Sequence, residues 1–179
     1  AEQYAKKEPA LELTYHTGNA EKIAHVPDRS VDVITIVLAI QNIEGVQRVF
    51  SECARVLKPD GSLVLVLNHP AFRVPKGSEW GWDEERGIQY RRVDTYLSEA
   101  KVKIEMHPGD DPSETTVSFH RSLQYYMKAL SKYGFAITRL EEWISNRQGP
   151  KGRKYAASEK ARKEIPLFLC LEAGMVKKT

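Results

Sequence analysis

The feature that most constrains this chain is the run Val31–Ile40 (VDVITIVLAI), followed closely by a helical stripe and a second apolar run. A nearly continuous β-branched segment is how a strand buried on both faces reads, and such strands belong to parallel sheets covered by helices. Gly45–Leu57 then puts Val46, Val49, Phe50, Cys53, Ala54 and Leu57 on one 3.6-residue stripe, which predicts an amphipathic helix. Lys58-Pro59-Asp60-Gly61 predicts a turn, and Ser62–Leu67 (SLVLVL) predicts a second buried strand. Strand, helix and strand with short links make a βαβ unit, so the fold class is α/β.

The rest of the chain adds elements to that unit. Ala1–Glu8 reads as the end of a helix halted by Pro9, and Leu11–His16 (LELTYH) alternates like a strand before the turn Thr17-Gly18-Asn19-Ala20. Arg73–Gln89, rich in Pro, Gly, Trp and charge, reads as irregular. Lys101–Met106 and Thr115–Phe119 alternate on either side of the turn-rich Pro108–Pro112, which predicts a hairpin. Leu123, Tyr126, Met127, Leu130 and Tyr133 form another helical stripe, with Gly134 where a C-terminal cap belongs. Phe135–Trp143 and Leu167–Ala173 predict two late strands. Val31–Val37, Ser62–Leu67 and these two are expected in one sheet, the first pair parallel and the last pair antiparallel neighbours. Arg147–Lys163 is basic and polar; a solvated loop with a short helix suits it better than a nucleic-acid patch, because its aromatic interleaving is limited to Tyr155.

Composition narrows the function classes. The chain has 179 residues, enough for one domain with a real core, and its net charge of +3 is too mild to argue for nucleic acid. No apolar stretch approaches a membrane span. The two cysteines sit in apolar periodic segments and read as buried free thiols, which points to a reducing cytoplasm. The histidines do not cluster at ligand spacing and no CxxC occurs, so no metal is expected. No GxSxG elbow is present and neither cysteine has an adjacent base, which argues against covalent catalysis.

Several segments then resemble one family in its own order and spacing. Pro27–Ile34 (PDRSVDVI), with Leu38-Ala39-Ile40-Gln41 after it, resembles the fourth-strand motif of class I S-adenosylmethionine-dependent methyltransferases. Glu52–Leu63 (ECARVLKPDGSL) looks like the helix, turn and fifth strand that follow. His16–Ile23 (HTGNAEKI) resembles the loop after the third strand, where the family usually has an Asp-Ala pair, and Gly134-Phe135 resembles the junction before the sixth strand. The resemblance runs from Leu11 to about Ala173. It implies a Rossmann-like methyltransferase sheet with an inserted β-hairpin lid, and S-adenosyl-L-methionine as cofactor.

One departure stands out. The family's first strand, its GxGxG loop and the acidic end of its second strand have no counterpart in this sequence. Residues 1–179 therefore read as a single methyltransferase-like domain incomplete at its N-terminus, with 73–121 as an insertion that covers the strand ends as a lid and sets acceptor choice. The chain alone is expected to bind the cofactor weakly or not at all, and the bare edge of Val31–Val37 to invite self-association.

The resemblance, together with the rule that ligands lie outside the carboxyl ends of strands in open α/β sheets, assigns candidate residues. Gly18, Asn19 and Ala20 would meet the cofactor's adenine, unless Asn19 serves only its own turn. Leu38, Ala39 and Gln41 would lie near the sulfonium, unless the first two are core. His69, at the end of the fifth strand, is a candidate general base or else a structural histidine. Arg73, Tyr90, His120 and Arg121 are candidates for acceptor contact, with Arg121 pairing an anion or else linking lid to core. The expected reaction is direct methyl transfer to an N, O or C atom of a small-molecule acceptor, without nucleic acid or membrane as partner. The rival from another class is a non-catalytic fragment or interaction subunit completed by a second polypeptide. A Rossmann-like oxidoreductase would also need a glycine fingerprint.

Overall fold

The βαβ unit forms as the pattern dictates. A computed structural model of the chain describes residues 12–105, 114–147, 149 and 151–176. In it β1 (Val31–Val37) runs parallel to β2 (Leu57–Asn68), with α1 (Val46–Val56) between them in sequence. β3 (Ser78–Asp83) pairs antiparallel with β4 (Ile88–Val93), and β5 (Ala100–Glu105) with β6 (Thr115–His120). α2 (Leu123–Lys132), β7 (Phe135–Trp143), α3 (Tyr155–Glu164) and β8 (Phe168–Met175) complete the described order. The main sheet reads β1-β2-β8-β7 across its width, parallel at β1/β2 and antiparallel at the other two junctions, as expected.

The core lies on one side of this sheet. Leu63, Leu65 and Leu67 of β2 and Leu169, Leu171 and Ala173 of β8 point to it. They meet Val46, Val49, Phe50 and Cys53 of α1 and Tyr126, Ala129 and Leu130 of α2. Burying each large aliphatic or aromatic side chain here is worth about 1.5–3 kcal/mol before entropy is counted. α2 stops at Gly134, whose φ of +82° is a left-handed cap that a side chain would strain.

Four expectations need correction. β1 was read as buried on both faces and extending to Ile40. It stops at Val37, and Val33 and Val37 are 55% and 59% exposed. Ile34 and Ile36 pack on the core, whereas Val33, Thr35 and Val37 alternate to the face that α1 and α2 leave open. Residues 12–16 form no strand. Among the described residues no strand lies beside them, and alternation without a partner supplies no ladder bonds. Lys58–Gly61 is not a turn but part of β2, entered through a register shift opposite Val31 and Val33. Residues 78–93, within and beyond the segment read as irregular, form the β3/β4 hairpin; Trp80 and Trp82 face Arg91 and Gln89 across it. The expected helix over Ala1–Glu8 and the turn at Pro108–Pro112 lie outside the described residues.

Candidate functional site

The carboxyl ends of β1 and β2 converge on a cleft, and three chain segments shape it. The first is the turn at Asn19, closed by the Lys22 N–H donating to the Asn19 carbonyl at 3.0 Å. No strand holds this segment, but α1 does. The Glu21 carboxylate accepts from the Gly45 N–H at 3.1 Å, where the partial positive charge of the helix N-terminus favours it. A Cβ at Gly45 would collide with that carboxylate, so glycine is what allows the approach. Glu52 accepts from the Ile23 N–H at 2.7 Å, while Arg55 donates to the carbonyls of Ile23 and Val26 and pairs with Glu52. Bonding to Arg55, then to Ile23, holds the Glu52 carboxyl down at about 2. Asn19 itself accepts from the Glu21 N–H at 2.9 Å, so its amide oxygen already serves its own turn.

The second segment leaves β1 at Leu38. Its φ of +51° is a left-handed conformation that a branched side chain rarely adopts. The turn is clamped from both sides: the Leu38 N–H donates to Val66 at 2.7 Å, and the Gln41 Nε2 donates to the Leu38 carbonyl at 2.9 Å. Leu38 is thereby left 43% exposed at the strand end, while Ile40 turns fully into the core. The other end of the Gln41 amide, Oε1, is buried without a hydrogen-bond partner among the described residues. A held strain and an orphaned acceptor thus stand side by side at this strand end.

The third segment follows β2. His69 is 5% exposed. Its Nδ1 accepts from the Ala71 N–H at 3.2 Å, which leaves the proton on Nε2 to donate to Glu142 at 2.9 Å. Both ring nitrogens are therefore engaged, and the ring packs on Phe72 at 4.8 Å. Asn68 and Pro70, on either side of it, line the cleft wall. Arg73, a turn further on, reaches the cleft with its guanidinium 5.2 Å from the Phe168 ring centre.

Residues of both hairpins line the cavities beside these ends. Asn42 donates to the Val117 carbonyl at 3.1 Å, and Arg121 donates to the Glu44 carbonyl at 2.8 Å, which ties β6 to the segment after β1. Arg121 is 4% exposed and sits against the rings of Phe119 and Tyr125 at 5.0 and 5.4 Å. Its Nε and Nη1 have no hydrogen-bond partner among the described residues, though Glu99 lies 3.8 Å from Nε. His120 is buried beside it and bonded to the Tyr96 carbonyl at 2.7 Å. Tyr90 lies apart: its ring covers Gly81 within the β3/β4 hairpin.

Two cavities meet at Gln41, Asn68 and Arg73. One is a narrow recess toward His120, Arg121 and Tyr126. The other, about 660 Å³, extends past Trp80 and Arg91 to Arg147, Arg162 and Phe168. The structure thus brings Leu38, Gln41, Arg73, His120 and Arg121 to one cleft, and sets Tyr90 and the ring nitrogens of His69 outside it. Sequence reasoning missed Arg91, Arg147 and Arg162. Arg91 sits in a segment whose strand pattern went unread, and the other two were absorbed into a basic loop.

Comparison with known proteins gives the cleft a setting. Residues 1–65 match a family described as a methyltransferase domain. Over 63 residues the chain is 40% identical to the ubiquinone/menaquinone biosynthesis C-methyltransferase UbiE of Bradyrhizobium sp., a match that spans 35% of this chain and 24% of that protein. The chain therefore covers about a quarter of the length of the curated relative it matches. Its structure is similar to that of an S-adenosylmethionine dependent methyltransferase from Mesorhizobium loti, with a TM-score of 0.70, 28% identity, and coverage of 96% of this chain and 75% of that one. A Listeria monocytogenes protein provisionally described in the same terms shares the fold at a TM-score of 0.66 and 18% identity, covering 99% of this chain and 78% of its own.

Proposed function

We propose that this chain is a class I S-adenosylmethionine-dependent methyltransferase that methylates a small molecule. The observation that carries this reading is the cleft at the carboxyl ends of β1 and β2, where a strained Leu38 stands beside the unpartnered Gln41 Oε1. S-adenosyl-L-methionine fits this edge, because a cationic ligand bearing N–H donors satisfies an acceptor that the protein leaves bare. When bound, the cofactor supplies an electrophilic methyl group on a sulfonium. Displacement at such a carbon depends chiefly on positioning and on exclusion of water.

In this reading Leu38, Ala39 and Gln41 hold the cofactor near its reacting end. Gly18, Asn19 and Ala20 meet it further out, with the Asn19 amide nitrogen available because its oxygen is used. Residues 73–121 form the lid within a single domain and set acceptor choice. Arg73 and Arg121 contact the acceptor, with His120 fixing the lid beside them. His69 serves as a clamp that holds Asn68 and Pro70 in the cleft wall, since a base would need a ring nitrogen free of partners. Tyr90 stabilises the hairpin. The reaction is placed in the cytoplasm, in keeping with two free thiols; none of the described helices is long and apolar enough to cross a membrane.

Calorimetric titration of the natural protein with S-adenosylhomocysteine tests this. Saturable binding is expected, weakened at least ~10-fold by Gln41→Leu, the cost of removing a charge-assisted hydrogen bond. No saturable binding by the wild type would refute the function, and an unchanged affinity in the variant would remove Gln41 from the site.

A further inference from the structure

The larger cavity carries a charge pattern that methyl transfer alone does not require. Of the described residues around its roughly 660 Å³, four are arginines (Arg73, Arg91, Arg147 and Arg162) and none is acidic. The four are not equivalent. Arg91 is built into the wall: its Nε donates to the Phe72 carbonyl at 2.6 Å, its Nη2 donates to Ser78 Oγ at 2.8 Å, and it lies 5.4 Å from the Trp80 ring centre. Arg162 is held by the Arg147 carbonyl at 2.8 Å and lies 3.8 Å from Glu159. Arg73 and Arg147 have no carboxylate against their guanidinium groups among the described residues.

These cations also press on one another. Burial, and then the neighbouring Arg147, hold Arg73 below the usual guanidinium range. Burial, and then Arg73, do the same to Arg91, with Glu79 opposing only in part. Crowding like charges around a partly dry cavity is unfavourable in the empty state, and an anion entering it relieves that repulsion while gaining forked hydrogen bonds. The same cavity reaches Leu38 and Gln41 at the end of β1, so a molecule held here by its anion extends toward the methyl donor's end of the cleft.

We propose that this cavity binds an anionic acceptor, a carboxylate- or phosphate-bearing small molecule, with Arg73 as the primary contact, Arg147 closing on it, and Arg91 and Arg162 fixing the walls. That the anion belongs to the acceptor rests on the methyltransferase reading; the anion site itself rests on the cavity and its arginines. It gives the acceptor a chemical class and makes Arg73 and Arg147 specificity-determining residues.

The test needs neither cofactor nor turnover, so its failure is distinct from failure of that reading. The natural protein is titrated by NMR with inorganic phosphate and, separately, with succinate, at ionic strength held constant with sodium chloride. Saturable shifts in residues around the cavity are expected with at least one probe; the tighter of the two names the anion as phosphoryl or carboxylate. Arg73→Gln should weaken that binding ~10-fold or more, the scale of a lost charged hydrogen-bond pair. Arg147→Ala, which removes an exposed side chain, should weaken it ~3-fold or more through the same charge effect. No saturable binding of either anion, or equal affinity in the wild type and Arg147→Ala, would overturn the proposal even if Arg73→Gln fails to fold.

Discussion

β1 and β2 are spelled almost alike and end in opposite circumstances. β1 is rich in Val and Ile, β2 in Val and Leu, and they run side by side. β2 pairs on both edges, with β1 and with β8, and its Leu63, Leu65 and Leu67 are each 1% exposed. β1 pairs on one edge among the described residues and turns Val33 and Val37 to the open face. The difference teaches that an apolar run encodes what a strand tolerates, whereas its neighbours decide what it buries. It also separates roles: β2 and its helices supply stability, and the end of β1 supplies a strained, accessible rim.

The two cysteines offer the sharpest way to break this comparison, because they lie on opposite faces. Cys53 is 2% exposed against the core, and burial pushes its thiol up to about 12. Cys170 pairs with Val66 and Glu141 and points away from the core residues Leu169 and Leu171. In the native state at pH 8, a thiol reagent should modify Cys170 on the minute scale. Cys53 should react a thousandfold or more slowly, since its exposure requires unfolding that costs at least ~5 kcal/mol. Equal rates, read by mass spectrometry, would mean that the two faces are equally open.

Core truncation gives the next effect. Leu65→Ala should lower unfolding free energy by about 3–5 kcal/mol, as loss of a buried leucine does, while Val33→Ala on the open face should cost less than ~1 kcal/mol. Denaturant midpoints with unchanged m-values would measure both. A cost for Val33→Ala as large as that for Leu65→Ala would show that this side of β1 is covered after all.

A smaller effect concerns the segment that leads into β1. Because the folded pKa of Glu52 is depressed to about 2, its contribution is present above the unfolded carboxylate value of ~4.3 and is lost as pH falls from there toward 2. Wild type should therefore lose stability over that window more steeply than Glu52→Gln. Parallel pH profiles would mean that Glu52 does not tie Ile23 and Arg55 together in the folded state.

These contrasts mark what was legible in the sequence. The helical stripes and the order of strands follow from periodicity, which is local, and α1, α2, β7 and the β5/β6 pairing fall where periodicity puts them. The β3/β4 hairpin was hidden because Trp80, Gly81 and Trp82 mix strand formers with a turn signal. Leu38 and Gln41 were candidates through the resemblance alone, and the strain at the one and the orphaned oxygen of the other are three-dimensional facts. His69 shows the opposite case: its residue type left a base and a structural histidine both open, and only the fold shows that both ring nitrogens are bonded, to Ala71 and to Glu142. The arginine cavity was least legible, since Arg73, Arg91, Arg147 and Arg162 are scattered over two loops, a strand and a helix and meet only when the fold brings their segments together.

The central claim is that the methyl donor sits at the carboxyl end of β1. Hydrogen exchange on the natural protein, followed by mass spectrometry with and without saturating S-adenosylmethionine, tests it most directly. Protection is predicted in peptides that contain Leu38–Asn42, with a weaker effect at Asn19–Lys22, and little change in the core segment of β2. Protection confined to the opposite end of the sheet, around Phe135–Ile137, or no protection at saturating cofactor, would contradict the account.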